Sequence, residues 1–139
     1  PRFVFTHLMM PHFPFYYDRK GTIRPDPFTD MPAFYDSLYI DQLIYTNKWI
    51  DSLAKAANQE VRRPRIVIIA GDHGYREDEN NPATRDEQFM NLTAWYFSDE
   101  DYSSLYNSIS PVNSFRVILN KYFRAGLPLL KDSTIRIIR

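Results

Sequence analysis

Hydrophobic and polar positions alternate in blocks along the chain. Arg2 to Leu8 is rich in aromatic and β-branched residues and predicts a buried strand. A domain usually begins with a few loose polar residues, so an opening inside a strand predicts a chain cut from something longer. Residues 9–33 contain Pro11, Pro14, Pro25, Pro27 and Pro32, half of the chain's ten prolines. Each ring fixes φ and removes a donor, so this stretch is a long loop, a kind of segment that is often functional. From about Pro32 to Ala57 the positions Tyr39, Leu43, Thr46, Ile50, Leu53 and Ala57 recur at spacings of four and three, which predicts a helix with one buried stripe. Asp30 suits its cap and Pro32 its first turn.

After Arg62-Arg63-Pro64, Ile66-Val67-Ile68-Ile69-Ala70 run without alternation, as in a central parallel strand covered on both faces. Fully buried, each large residue there would contribute roughly 1.5–3 kcal/mol. Residues 77–87 are polar and read as a loop, and Leu92 to Phe97 as another strand. An acidic turn through Asp99, Glu100 and Asp101 follows. Ser110-Pro111 opens a second helix with Val112, Phe115, Ile118, Leu119 and Tyr122 on one face, closed by Gly126 and Pro128. Ile135 and Ile137 suggest a last short strand. The order strand, helix, strand, strand, helix belongs to the α/β class.

Composition narrows the partners. The 139 residues suffice for a core, and 44% hydrophobic with 24% charged residues excludes a disordered chain. Seventeen Lys and Arg against seventeen Asp and Glu give no basic excess, so nucleic acid is not an expected partner. Without cysteine there is no disulfide framework and no thiolate chemistry. No apolar run approaches the length of a membrane span, and the opening residues are not expected to be a signal peptide.

Gly71-Asp72-His73-Gly74 follows the most apolar strand. Ligands collect at the carboxyl ends of strands in open α/β sheets, and Asp with His offers an oxygen and a nitrogen suited to zinc or manganese. Flanking glycines allow the sharp turn that brings both side chains toward one point. The plainer reading is a turn with a solvated Asp and a hydrogen-bonded His. Two ligands do not fill a tetrahedral site, so partners from elsewhere are needed. His7 and His12 are the candidates, against the plainer readings of a core histidine and a capped loop residue. If the first two strands are parallel neighbours, all three histidines fall at one sheet edge. Arg76 reads as a surface arginine or an anion partner. Asn91-Leu92-Thr93 matches a glycosylation acceptor, a pattern that also arises by chance. Asp99-Glu100-Asp101 reads as a solvated acidic turn or a cation site, and Trp49 and Trp95 as packing residues.

Thr6-His7-Leu8-Met9-Met10-Pro11-His12-Phe13-Pro14-Phe15-Tyr16 resembles the histidine-proline segment of phosphoethanolamine transferases and lipoteichoic acid synthases. Gly71-Asp72-His73-Gly74 resembles the Asp-His-Gly metal motif of the same alkaline phosphatase/sulfatase superfamily, in matching order and spacing. The resemblance covers about residues 2–98. It implies a layered α/β/α domain with a mostly parallel sheet, of which residues 1–139 form the C-terminal portion. It implies that Asp72 and His73 bind a divalent metal (zinc, manganese or calcium), that His12 contacts the transferred group, and that His7 assists. The family's nucleophile and a further acidic metal ligand lie upstream of the histidine-proline segment, so both are expected to be missing from this chain, which alone would then be inactive. No histidine follows His73, although several relatives have one there. Relatives with this loop pattern commonly sit in bacterial inner membranes, so the resemblance implies a membrane-anchored parent with the catalytic domain on the extracytoplasmic, periplasmic side. The expected substrate is a phosphate or sulfate ester. The alternatives are a non-catalytic binding module of the same fold and a small metallohydrolase complete in itself. A domain lacking part of its sheet exposes an edge or apolar face, which predicts homo-oligomers.

Overall fold

The computed structural model describes residues 2–26, 35–57, 59, 63–75 and 86–135, in two compact units spanning residues 1–61 and 62–139.

The first unit is built on helix α1, Tyr35–Ala57. Asp30 and Pro32, the expected cap and first-turn residue, lie outside the described residues. The predicted stripe is partly displaced. Gln42 and Thr46 are its buried positions, Tyr39, Leu43 and Ile50 are half-buried, and Leu53 is exposed. The reason is what α1 packs against. Phe15, 2% exposed, meets Phe13, Tyr35 and Tyr39 at ring-centroid distances of 5.7, 4.7 and 6.4 Å. Beside this aromatic cluster runs the backbone of the proline loop, whose polar groups call for a polar partner on the helix.

That loop turns at Met9–His12, where His12 N donates to Met9 O, and continues into a hairpin bridged at Tyr17 and Ile23. The peptide bonds before Pro11 and Pro14 are cis. Asp18 Oδ1 accepts from the N–H groups of Lys20 and Thr22, which shapes the hairpin tip. Gly21 sits there at φ +91°, and a Cβ would run into the Tyr45 ring. Arg19 and Arg24 both reach Asp41 of α1, at 2.7 and 3.0 Å.

The predicted opening strand does not form. Residues 2–8 lie outside any ladder, and Phe3, Val4 and Phe5 are 78%, 79% and 78% exposed. A strand exists only through hydrogen bonds to a neighbour, and the described ladders of this unit amount to the Tyr17–Ile23 bridge.

In the second unit β1, Ile66–Ala70, pairs antiparallel with β2, Thr93–Phe97, in the register Ile68↔Trp95. The expected parallel neighbour is thus replaced, among the described residues, by an antiparallel one. Ile66, Val67, Ile68 and Ile69 are half-buried, so each contributes less than full burial would. Gly71 N to Leu92 O (2.9 Å) and Ser98 N to Arg65 O (3.0 Å) extend the pairing at its two ends. A turn of 3-10 helix, Glu87–Phe89, precedes β2, where the sequence pattern predicts a loop for 77–87; residues 76–85, including Arg76, lie outside the described residues.

Helix α2, Pro111–Phe123, starts at Ser110 as predicted, but Ser110 makes no side-chain cap. Its hydroxyl and its N–H both donate to Asp132 Oδ1, at 2.5 and 2.7 Å. The buried face is Asn113, Ser114, Val117 and Ile118, while Val112, Phe115 and Leu119 of the predicted face are exposed. Segment 127–132 explains the shift. Asn113 donates to Leu130 O and accepts from Leu130 N, and Asn120 does the same with Leu127. Arg116 adds a bond to Pro128 O. The amide-bearing side of α2 therefore receives an extended backbone, and Val117 and Ile118 pack inward. Arg124, at φ 55°, takes the left-handed cap that the sequence pattern assigns to Gly126. Ile135 is exposed and outside any strand, and residue 137 lies outside the described residues.

Phe97, fully buried, centres this unit, with Tyr102 stacked at 5.2 Å and Tyr122 edge-on at 5.5 Å. The acidic turn carries its own cation. Lys121 Nζ lies 2.9 Å from Asp101 Oδ2 and 3.5 Å from Asp99 Oδ2, over the Phe97 ring. Hydrogen bonds from Ser103, and then from Lys121, hold the Asp101 carboxyl well below its ordinary range. An ammonium thus occupies the place a bound cation would take.

Candidate functional site

Asp72 and His73 follow β1 directly, and the turn that carries them is set by backbone packing. Gly74 N donates to Gln88 O at 2.8 Å, and a Cβ on Gly74 would fall within contact distance of the Glu87 and Met90 carbonyls. Only glycine permits that approach. Asn91 Nδ2 donates to Gly71 O at 2.8 Å and fixes the other side of the turn. Asp72 Oδ1 accepts from His73 N at 3.1 Å, and its side chain is 93% exposed.

His73 Nδ1 lies 2.6 Å from Gly74 O. A carbonyl has no proton to give, so Nδ1 carries an N–H, and of the two neutral tautomers the geometry selects the one that leaves the lone pair on Nε2. Nε2 stands 3.8 Å from Asp72 Oδ2. Metal-ligating histidines commonly donate one ring N–H to a carbonyl and bind through the other nitrogen. One oxygen and one nitrogen this close fit two ligands of a single divalent cation, with Zn–N and Zn–O bonds of about 2 Å. Among the described residues no group of three or more His, Asp or Glu gathers to hold a metal.

His12 repeats the arrangement in the other unit. Its Nδ1 lies 2.5 Å from Phe13 O, so Nδ1 again carries an N–H, and of the two neutral tautomers the one with Nε2 free of hydrogen fits. The ring is exposed, with Phe13 and Phe15 packed on Tyr35 instead. Gln42 holds the loop from beneath, fully buried on α1. Its Nε2 faces the carbonyls of Pro11, His12 and Pro14 at 3.2, 2.9 and 3.2 Å, and its Oε1 accepts from Tyr17 N at 3.2 Å. His7 is exposed, its ring 6.4 Å from that of Phe5. The shared sheet edge expected for the three histidines loses its premise, because residues 2–8 form no strand.

A family model described as Sulfatase matches residues 1–99. The chain belongs to the Sulfatase family. The match takes in both histidine loops, α1 and the β1–β2 pair, and supports an α/β fold within the alkaline phosphatase/sulfatase superfamily. Sulfatases act on sulfate esters and generally use divalent metals. No curated protein and no solved structure matches the chain. No described helix is long and apolar enough to cross a membrane.

The sequence pattern alone missed Gln42 and Asn91, the two amides that pin the loops. Gln42 did leave a signal, as a polar residue between Tyr39 and Thr46 on the side of α1 that the periodicity marks as buried.

Proposed function

We propose that this chain is the metal-binding C-terminal part of a sulfatase-like hydrolase or transferase that acts on phosphate or sulfate esters. The observation that carries the reading is the approach of His73 Nε2 to Asp72 Oδ2 at 3.8 Å, with Nδ1 turned to Gly74 O, in a chain of the Sulfatase family. Asp72 and His73 would hold a divalent zinc, manganese or calcium ion. When bound, such an ion polarises the ester oxygens and neutralises charge on the transferred group. His12, exposed and with Nδ1 held by Phe13 O, presents Nε2 to meet that group, and when protonated there can give its proton to the departing alkoxide. His7 assists from the same segment. The nucleophile and remaining acidic ligands would come from residues beyond this chain. The finer placement is the phosphoethanolamine transferase and lipoteichoic acid synthase-like branch, with the full domain a layered α/β/α sheet and the chain able to form homo-oligomers.

A non-catalytic binding module of the same fold would be favoured by a His12 buried against Phe13 or Phe15, whereas His12 is exposed.

Titration with zinc and manganese is the test. Binding that weakens at least about tenfold in both Asp72→Ala and His73→Ala is expected of two direct ligands. Binding unchanged by either substitution would remove Asp72 and His73 from the site. Turnover of aryl phosphate against aryl sulfate by the full-length protein then assigns the ester.

A further inference from the structure

The proline loop is organised around a single side chain. Of the four consecutive carbonyls from Pro11 to Pro14, those of Pro11, His12 and Pro14 converge on Gln42 Nε2. The fourth, Phe13 O, takes the ring N–H of His12 at 2.5 Å. Gln42 Oε1 closes the ring of contacts on Tyr17 N, beyond the loop. A primary amide has two N–H groups, one of them shared between two of these three carbonyls, and one carbonyl for the Tyr17 donor, a mixture that an apolar residue of the same volume cannot serve. The amide is fully buried on the second turn of α1, a rigid element, and Thr46 Oγ donates to the Gln42 carbonyl one turn on.

We infer that Gln42 is a positioning residue for His12: by holding three of the four loop carbonyls it leaves Phe13 O directed at His12 Nδ1, and so fixes the ring and, in the neutral ring, the Nδ1–H tautomer. The inference rests on the role given to His12 above. In water a neutral imidazole favours the tautomer with hydrogen on Nε2, the reverse of what the Phe13 carbonyl enforces. Loss of the clamp should therefore move His12 toward the solution tautomer. His73 is a built-in control, since the carbonyl that its Nδ1 meets is that of its own neighbour Gly74 and is not among those Gln42 holds.

The tautomers of His12 and His73 can be read from long-range proton–nitrogen NMR spectra of the 139-residue chain and of Gln42→Met, which keeps the volume and removes the amide. The expected result is hydrogen on Nδ1 in both histidines of the parent chain, a shift toward Nε2–H at His12 alone in the variant, and no change at His73. An unchanged His12 tautomer in a folded Gln42→Met would overturn the inference, since a merely structural Gln42 would lower the melting temperature without touching the tautomer. If Gln42→Met does not fold, Gln42→Glu retains an acceptor for Tyr17 N while losing the amide donors, and the same shift at His12 is expected. In the full-length protein, Gln42→Met should lower kcat on the order of tenfold with KM little changed, as expected of a misplaced proton donor. A parent protein with no ester turnover but with the His12 shift present would sink the catalytic reading and leave the positioning role standing.

Discussion

His12 and His73 reach the same local arrangement, an Nδ1 hydrogen on the carbonyl of the following residue, by different means. At His12 a buried side chain gathers the backbone, as the two N–H groups of Gln42 are spread over three carbonyls and its oxygen takes one N–H. At His73 backbone meets backbone, with Gly74 laid against the 3-10 turn so closely that a methyl group has no room. The first means depends on a residue distant in sequence and on its hydrogen-bonding chemistry. The second depends on the lack of a side chain. A loop of the first kind should respond in graded fashion to substitution, and one of the second kind abruptly.

The sharpest break should come from Gly74→Ala. Its Cβ would meet the Glu87 and Met90 carbonyls, backbone atoms that cannot swing aside, and a loss of about 3 kcal/mol or more is expected in denaturant melts. Next comes Gln42→Met, where the loop carbonyls lose a donor but lie close enough to the surface for water to replace part of it. About 2 kcal/mol is expected from the same melts. Asn91→Ala removes one bond to Gly71 O, costs about 1 kcal/mol, and should weaken metal binding more than it weakens the fold. The last prediction is a pH effect confined to the second unit. The Ser110 hydroxyl, then Tyr106 and the Ser110 N–H, lower Asp132 from 3.8 to about 2. A depressed carboxyl stabilises the folded state fully above its unfolded value and loses that contribution as pH falls. The Asp132 contacts should thus hold above about pH 4 and release as acid approaches pH 2, seen as loss of Tyr106 chemical-shift dispersion that Asp132→Asn abolishes. The uncharged Gln42 clamp should not follow this titration.

Much of this was legible along the chain, and the parts that were not share a cause. The span of α1, the strands at 66–70 and 93–97, and the start of α2 at Pro111 follow from periodicity and local punctuation. The faces of the helices did not. Periodicity counts apolar residues as buried, yet α1 buries Gln42 and α2 buries Asn113, because each lies against a backbone segment that needs amide partners. The opening strand failed for a related reason: local propensity at 2–8 cannot supply the neighbour that a ladder requires. For the site, Asp72, His73 and His12 were visible as chemistry, whereas the tautomers that make their Nε2 atoms available depend on carbonyl directions that no residue pattern encodes.

The Asn113 and Asn120 pairs with Leu130 and Leu127 have a mechanical consequence. They grip main chain rather than side chains, so the leucines they hold could be exchanged for other residues without loosening the grip. Load applied at the C-terminal end would reach Asp132 first, then the Leu130 rung, and the Leu127 rung last. The segment would peel from α2 rung by rung, much as tape lifts from a surface, while Phe97 and the β1–β2 pair behind it stayed closed.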